Sequence, residues 1–164
     1  MKNFLAKKIF KRILLLLVLV FIGLQFTNPS LKNPEVKPGR DLMAANPPPA
    51  EVAALLHRAC YDCHSNETKW PWYAHVAPVS NWIVKHMKEG REALNFSEWS
   101  HDDTYIAGEE LAHIGEQVQS HKMPLPSYTW LGMHSEARLT EEQRGRILKW
   151  TEQAAQQLET NAGK

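Results

Sequence analysis

Five consecutive residues constrain this chain more than any others: Cys60-Tyr61-Asp62-Cys63-His64. They form a C-x-x-C-H run that contains the only two cysteines of the chain. On a helical turn Cys60, Cys63 and His64 share one face, because positions three and four apart are neighbours. This run is the attachment signature of a c-type haem, in which both thiols bond covalently to the macrocycle and the histidine ligates iron. The fold of this chain is therefore expected to form around one covalently held haem.

Two other interpretations of a C-x-x-C pair are open, a redox dithiol and half of a zinc site. A dithiol needs no adjacent histidine, and no strand-rich βαβ pattern surrounds the pair. A structural zinc ion usually has four protein ligands, often from a second C-x-x-C or an H-x-x-x-H. The sequence has neither of these, so the pattern favours haem.

The N-terminal residues are typical of an export signal. Residues 1–12 carry five basic side chains and no acid, and residues 13–24 form an apolar run of twelve. A positive region followed by an apolar region directs export, and c-type haem attachment takes place outside the bacterial cytoplasm. We expect residues 1–27 to form an uncleaved transmembrane anchor in the bacterial inner membrane, with the haem domain in the periplasm. Signal cleavage, which would give a soluble periplasmic protein, is the alternative.

Composition divides the remainder into a linker and one small domain. Residues 28–49 contain six of the ten prolines and are predicted to form an extended linker. Residues 50–160 are predicted to form the haem-binding domain. Outside the leader, 14 basic residues stand against 18 acidic ones. This net charge of −4 gives no indication of nucleic-acid binding.

The hydrophobic pattern predicts an all-α fold. Apolar residues at helical spacing indicate four helices, and no segment alternates as a half-buried strand would. The first helix leads into Cys60, the second follows Pro78 and ends near Gly90, and the fourth begins at a Thr140–Gln143 capping box. The predicted buried faces are Val52, Leu55, Leu56 and Ala59; Val79, Trp82, Ile83, His86 and Met87; Ala107, Leu111, Ile114 and Val118; Ile147, Trp150, Ala154 and Leu158.

A haem iron that only carries electrons needs a second axial ligand, and Met123 is the predicted one. It lies in a loop stiffened by Pro124 and Pro126, so its thioether is not committed to helix packing. His86, His121 and His134 are the alternatives, and an open distal position is a further one. Methionine–histidine ligation would raise the reduction potential.

The order of these parts resembles class I c-type cytochromes, and a closer resemblance is to the bacterial haem-binding domain family. The residues that carry it are 60–68, 70–73, 77–80 and 90–99, with Met123-Pro124 and the segment from Leu139 to Trp150. Where the family commonly has His-Pro before the last helix, this chain has His134-Ser135. The resemblance implies a monohaem, membrane-tethered or periplasmic domain that is cytochrome c-like and helical.

Two classes of function are consistent with this pattern. The first is a one-electron carrier with redox partners in the periplasm or membrane. The second is a haem enzyme, such as a peroxidase, or a small-ligand sensor, and either would need an open distal site. His86 is the candidate acid or base for an enzyme. Arg91 is a candidate partner for a haem propionate, and a surface ion pair with Glu89 or Glu92 is the alternative. Trp70 to Tyr73 are candidates for the wall of the haem site, and packing of the tryptophans in the core is the alternative.

Overall fold

The computed structural model describes residues 2–99, 103–130 and 133–162, and within these the fold is all-α, as predicted. No strand occurs among the described residues. The helices are α1 (Lys2–Gln25), α2 (Leu42–Ala45), α3 (Ala50–Ala59), α4 (Tyr61–His64), α5 (Val79–Ala93), α6 (Thr104–Gln119) and α7 (Glu141–Ala162). Short 3₁₀ turns lie at Trp72–His75, Phe96–Glu98 and Ser135–Ala137.

The chain divides into two compact units. The first comprises Met1–Lys32 and Lys69–Glu89, and the second comprises Asn33–Thr68 and Gly90–Lys164. In the first unit, the end of α1 is joined to the segment before α5. The Gln25 side chain donates to the Ala77 carbonyl and accepts from the Ala77 N–H, both at 3.1 Å.

The second unit contains one hydrophobic core, built on the predicted faces of three helices. These faces belong to α3, α6 and α7, and their spacing of three and four residues brings each set to one side of its helix. Phe96 and Trp99, which follow α5 in the chain, belong to the same core. The core residues on the helices are Val52, Leu55, Leu56, Ala59, Ala107, Leu111, Ile114, Val118, Ile147, Trp150 and Ala154, with Leu158 partly buried.

The structure confirms the predicted start of one helix and moves the predicted end of another. The predicted capping box at α7 is confirmed: the Thr140 N–H donates to Gln143 Oε1 and the Gln143 N–H donates to Thr140 Oγ1. The second predicted helix, α5, continues past Gly90 to Ala93. Its predicted face is only partly correct, because Ile83 and Met87 are buried whereas Trp82 is 49% exposed.

Part of the proline-rich segment packs instead of forming a free spacer. Leu42 is fully buried in the core, and the Asp41 carboxylate caps α2 by accepting from the Met43 N–H. The Tyr61 hydroxyl also donates to Asp41, at 2.9 Å. A proline-rich composition therefore does not keep this segment apart from the fold.

The predicted transmembrane helix is corrected by the structure. No helix in residues 2–99, 103–130 and 133–162 combines the length and apolarity needed to cross a membrane. α1 has 24 residues, but its uninterrupted apolar run of twelve is shorter than the about 20 residues that a span requires.

Candidate haem site

The C-x-x-C-H run forms a tight helical turn directly after α3. Cys60 ends α3, since its N–H donates to the Leu56 carbonyl at 2.9 Å. Its own carbonyl then accepts from the N–H groups of Cys63, at 3.1 Å, and His64, at 2.9 Å. The change of direction at Cys60 separates α3 from α4 and brings both cysteines and the histidine onto one turn. The grouping predicted from the spacing is therefore present.

Both cysteines are free thiols, and both are half-buried. Burial, followed by the nearby Cys63, raises the pKa of Cys60 to about 12. Burial and then Asp62 raise the pKa of Cys63 to about 11, although Arg91 acts to lower it. The two side chains are therefore neutral at pH 7, in a largely apolar setting that suits contact with a macrocycle. Among the described residues, no three His, Cys, Asp or Glu side chains converge as a metal-ion site would require.

His64 is oriented as an iron ligand would be. Its Nδ1 lies 3.0 Å from the Leu94 carbonyl, which can only accept, so Nδ1 carries the proton. Nε2 then carries the lone pair that a metal needs, and the hydrogen bond at Nδ1 fixes the ring. Burial lowers the pKa of His64, which favours this neutral, ligating form. The ring also stacks on Phe96, with 5.8 Å between centroids. These features fit a haem iron.

Gly90 is the reason that α5 can approach the turn so closely. A Cβ atom built on Gly90 would lie 2.8 Å from the Cys63 carbonyl oxygen and 3.5 Å from its Cβ. A backbone oxygen cannot move aside as a flexible side chain can, so no larger residue fits here without a shift. The sequence pattern suggested Gly90 as a helix end, whereas in the structure it is a packing position inside a helix.

Arg91 fastens the segment that follows the turn of residues 60–64, which is called the haem turn below. Its Nε donates to the Ser65 carbonyl at 2.8 Å, and Nη2 donates to Thr68 Oγ1 at 2.7 Å and to Asn33 Oδ1 at 3.3 Å. These bonds give Arg91 a structural role that sequence reasoning did not foresee. Its pairing with a haem propionate stays a prediction.

A buried asparagine organises the same segment. Asn66 is 2% exposed, and its N–H donates to Ser97 Oγ at 3.0 Å. Its side-chain amide donates to the Glu35 carbonyl and accepts from Asn95, both at 3.0 Å. The residues just after His64 are thereby held to the chain on both sides of them, which keeps the turn rigid. The only sequence signal for this role is an asparagine two positions after the histidine.

Met123, the predicted distal ligand, lies in the loop of residues 120–134, of which 131 and 132 are outside the described residues. Its N–H donates to the Gln117 carbonyl at 3.0 Å, and its carbonyl accepts from Arg144 at 2.8 Å. The backbone is thus fixed by bonds that do not use the half-buried thioether side chain.

The three alternative histidines have different surroundings. His121 is exposed, with Nε2 3.4 Å from Glu141 Oε2. His86 belongs to the first unit, where Nδ1 lies 2.9 Å from the Trp82 carbonyl. His134 shares the 120–134 loop with Met123, and its side chain is 13% exposed.

Tyr128 connects this loop to the haem turn, and sequence reasoning missed it. Its hydroxyl donates to Asp62 Oδ2 at 2.7 Å, and Asp62 lies between the two cysteines in the chain. Burial, and then this bond, raise the pKa of Tyr128 above its ordinary value, so the phenol remains a donor. The loop that carries Met123 is thus joined to the turn that carries His64.

The tryptophans divide into core and surface residues. Trp99 and Trp150 are buried, whereas Trp72 is 78% exposed. Trp72 makes an edge contact with Tyr73, at 5.7 Å between centroids. That Trp70 to Tyr73 form a wall of the haem site stays a prediction.

Comparison with known families matches residues 19–153 to the haem-binding domain family. The chain belongs to this family. The match covers most of the chain, including the turn at Cys60 and the 120–134 loop, and it identifies haem as the cofactor. Searches of curated proteins and of solved structures found no similar protein.

Proposed function

We propose that this haem-binding protein is a c-type monohaem electron carrier, with Cys60 and Cys63 as the covalent attachment points and His64 as the proximal ligand. The observation that carries the proposal is the hydrogen bond from His64 Nδ1 to the Leu94 carbonyl, which fixes the ring and leaves the lone pair on Nε2 for a metal. Two reduced, half-buried thiols on the same turn supply the attachment points. A bound haem supplies a one-electron Fe(III)/Fe(II) couple.

Covalent attachment is tested by extracting the protein with acidified acetone and separating it on a denaturing gel. Haem is expected to stay with the protein band. Replacing both Cys60 and Cys63 with alanine should release all of the haem to the solvent, while His64→Ala should keep it attached but change its ligation. Haem that leaves the wild-type band excludes thioether bonds.

We further propose Met123 as the distal ligand. Its loop is held at Met123 itself by α6 and α7 and at Tyr128 by Asp62, so its backbone has a defined position relative to the haem turn. A soft thioether suits iron(II), so this ligation favours the reduced state and raises the potential. Two filled axial positions support electron transfer and oppose an enzyme or sensor, each of which needs an open site.

Met123→Ala is expected to give high-spin or water-ligated iron that binds carbon monoxide and has a lower potential. Alanine at His86 or His121 should leave the spectrum of the reduced protein unchanged. Carbon monoxide binding by the wild-type protein would favour the enzyme or sensor instead. A low-spin spectrum retained by Met123→Ala would assign the distal position to a histidine.

We also propose that the N-terminal residues direct export and attach the haem domain to the periplasmic face of the inner membrane. The basic residues at one end of α1 and the exposed apolar side chains along it support this. Its redox partners are then periplasmic or membrane proteins.

A further inference from the structure

The 120–134 loop carries two side chains that can ligate iron, Met123 and His134. Imidazole competes with thioether sulfur for iron, so a loop with both needs a feature that selects one. The structure has such a feature in Tyr128, which lies between them in the chain and contacts one of them.

The Tyr128 ring lies flat against the imidazole of His134. The ring centroids are 4.1 Å apart and the planes differ by only 12°. His134 Nδ1 is also 3.3 Å from Glu136 Oε1, and the side chain is largely buried. One face and one nitrogen of His134 are therefore engaged by the protein. The bonds given above for Met123 involve its backbone alone.

Tyr128 is itself fixed, because its hydroxyl donates to Asp62 at 2.7 Å. Asp62 belongs to the haem turn, so the ring that holds His134 is tied to the turn that holds His64. Two contacts therefore connect Asp62 to His134: the hydrogen bond from Tyr128 to Asp62 and the stacking of Tyr128 on His134. Loss of the hydrogen bond would weaken the stacking, because the Tyr128 ring would no longer be held in place.

We propose that Tyr128, fastened by Asp62, is a ligand-selecting residue that holds His134 by ring stacking and so leaves the distal position to Met123. This inference rests on the proposed c-type haem and its Met123 ligand. Tyr128 and Asp62 are positioning residues in it, because they act on the iron through other side chains.

The test compares Tyr128→Ala with Tyr128→Ala/His134→Ala in the full-length haem-loaded protein. The single variant is expected to lose the methionine-to-iron(III) charge-transfer band, remain low-spin and show a lower potential, because His134 now ligates. The double variant should regain the band, because the competing imidazole is gone. If the single variant keeps the band, or the double variant does not regain it, the proposal is wrong.

Tyr128→Phe separates the hydrogen bond from the ring. It keeps the stacking but loses the bond to Asp62, so the fraction of histidine-ligated protein should rise about tenfold. Tyr105→Phe is the matched control, since it removes a 2.7 Å phenol–carboxylate bond to Glu109 at an exposed site. If both phenylalanine variants give the wild-type spectrum, Asp62 has no part in selection.

Should Tyr128→Ala fail to accumulate, Tyr128→Phe and Tyr128→Phe/His134→Ala provide the same comparison. Loss of the histidine-ligated fraction in that double variant supports the proposal, and its persistence refutes it. A wild-type protein without covalent haem, or without the methionine band, would contradict the proposed function itself. The results of the Tyr128 and His134 variants test only which side chain is selected as the distal ligand.

Discussion

At the scale of single residues, the haem turn depends on two positions outside it, one that orients the His64 ring and one that leaves space for close packing. The Leu94 carbonyl sets which nitrogen of His64 is protonated, and Gly90 lets that part of α5 lie against Cys63. Both Leu94 and Gly90 are about 30 residues away from the turn along the chain. Their contribution is therefore decided by packing and is not visible in the motif.

Gly90→Ala tests this close approach. The added methyl group would meet the Cys63 carbonyl oxygen at 2.8 Å, so the free energy of unfolding should fall by about 1–3 kcal/mol. Gly145→Ala in α7 is the matched control: nothing lies within 4 Å of its Cβ position, and alanine should add about 0.5–1 kcal/mol. Urea denaturation measures both, and equal effects would contradict the packing role of Gly90.

At the scale of elements, α7 secures the end of α6 and the loop that follows it. The buried Arg144 of α7 donates from Nη1 to the Val118 carbonyl at 2.6 Å and to the Met123 carbonyl at 2.8 Å. One guanidinium thereby links a carbonyl in the last turn of α6, which also accepts from the His121 N–H at 3.2 Å, to a carbonyl in the loop. The backbone position of Met123 is set by this contact between elements.

Arg144→Met should therefore disturb both stability and haem ligation. Removing two hydrogen bonds from a charged donor should cost about 3 kcal/mol, chiefly because the Met123 carbonyl loses this donor. Arg146→Met, on the same helix, is the control, because Arg146 makes exposed ion pairs with Glu51 and Glu142 that contribute less than about 1 kcal/mol. Thermal unfolding and the absorption spectrum provide the measurements. Similar losses in the two variants would show that Arg144 has no special role.

At the scale of the whole molecule, the N-terminal helix is joined to later parts of the chain within the first unit. Besides the Gln25–Ala77 pair, Ser80 Oγ donates to Asn28 Oδ1 at 2.6 Å. A signal removed near residue 27 would take Gln25 with it and leave the Ala77 N–H and carbonyl without this partner. These bonds favour a retained N-terminus.

The mass of the mature protein decides whether the N-terminal segment is retained or cleaved. We expect the full chain in the membrane fraction, and an alkaline phosphatase fusion after Lys164 should be active because a basic segment followed by an apolar run directs export. A mature N-terminus anywhere from residue 27 to 45 would demonstrate cleavage and end the attachment proposal. As a control, a fusion to a chain without residues 1–27 should be inactive.

Sequence by itself determined the features that depend on local spacing. The C-x-x-C-H run places its three candidate haem-binding residues on one turn because a helix repeats every 3.6 residues, whatever surrounds it. The same periodicity identified the buried faces of α3, α6 and α7, and the Thr140–Gln143 pair identified the start of α7 because capping is a local interaction.

Only the tertiary structure decided the features that join distant residues. Nothing in the local sequence indicates that Tyr128 bonds to Asp62, which lies 66 positions earlier in the chain, or that Leu94 orients His64. The proline-rich segment, predicted to be a spacer, packs through Leu42 because its composition limits helix formation but does not prevent burial. The motif residues can be identified from sequence because their grouping depends on local helical spacing. The residues that position them cannot, because their contacts form only when distant parts of the chain come together.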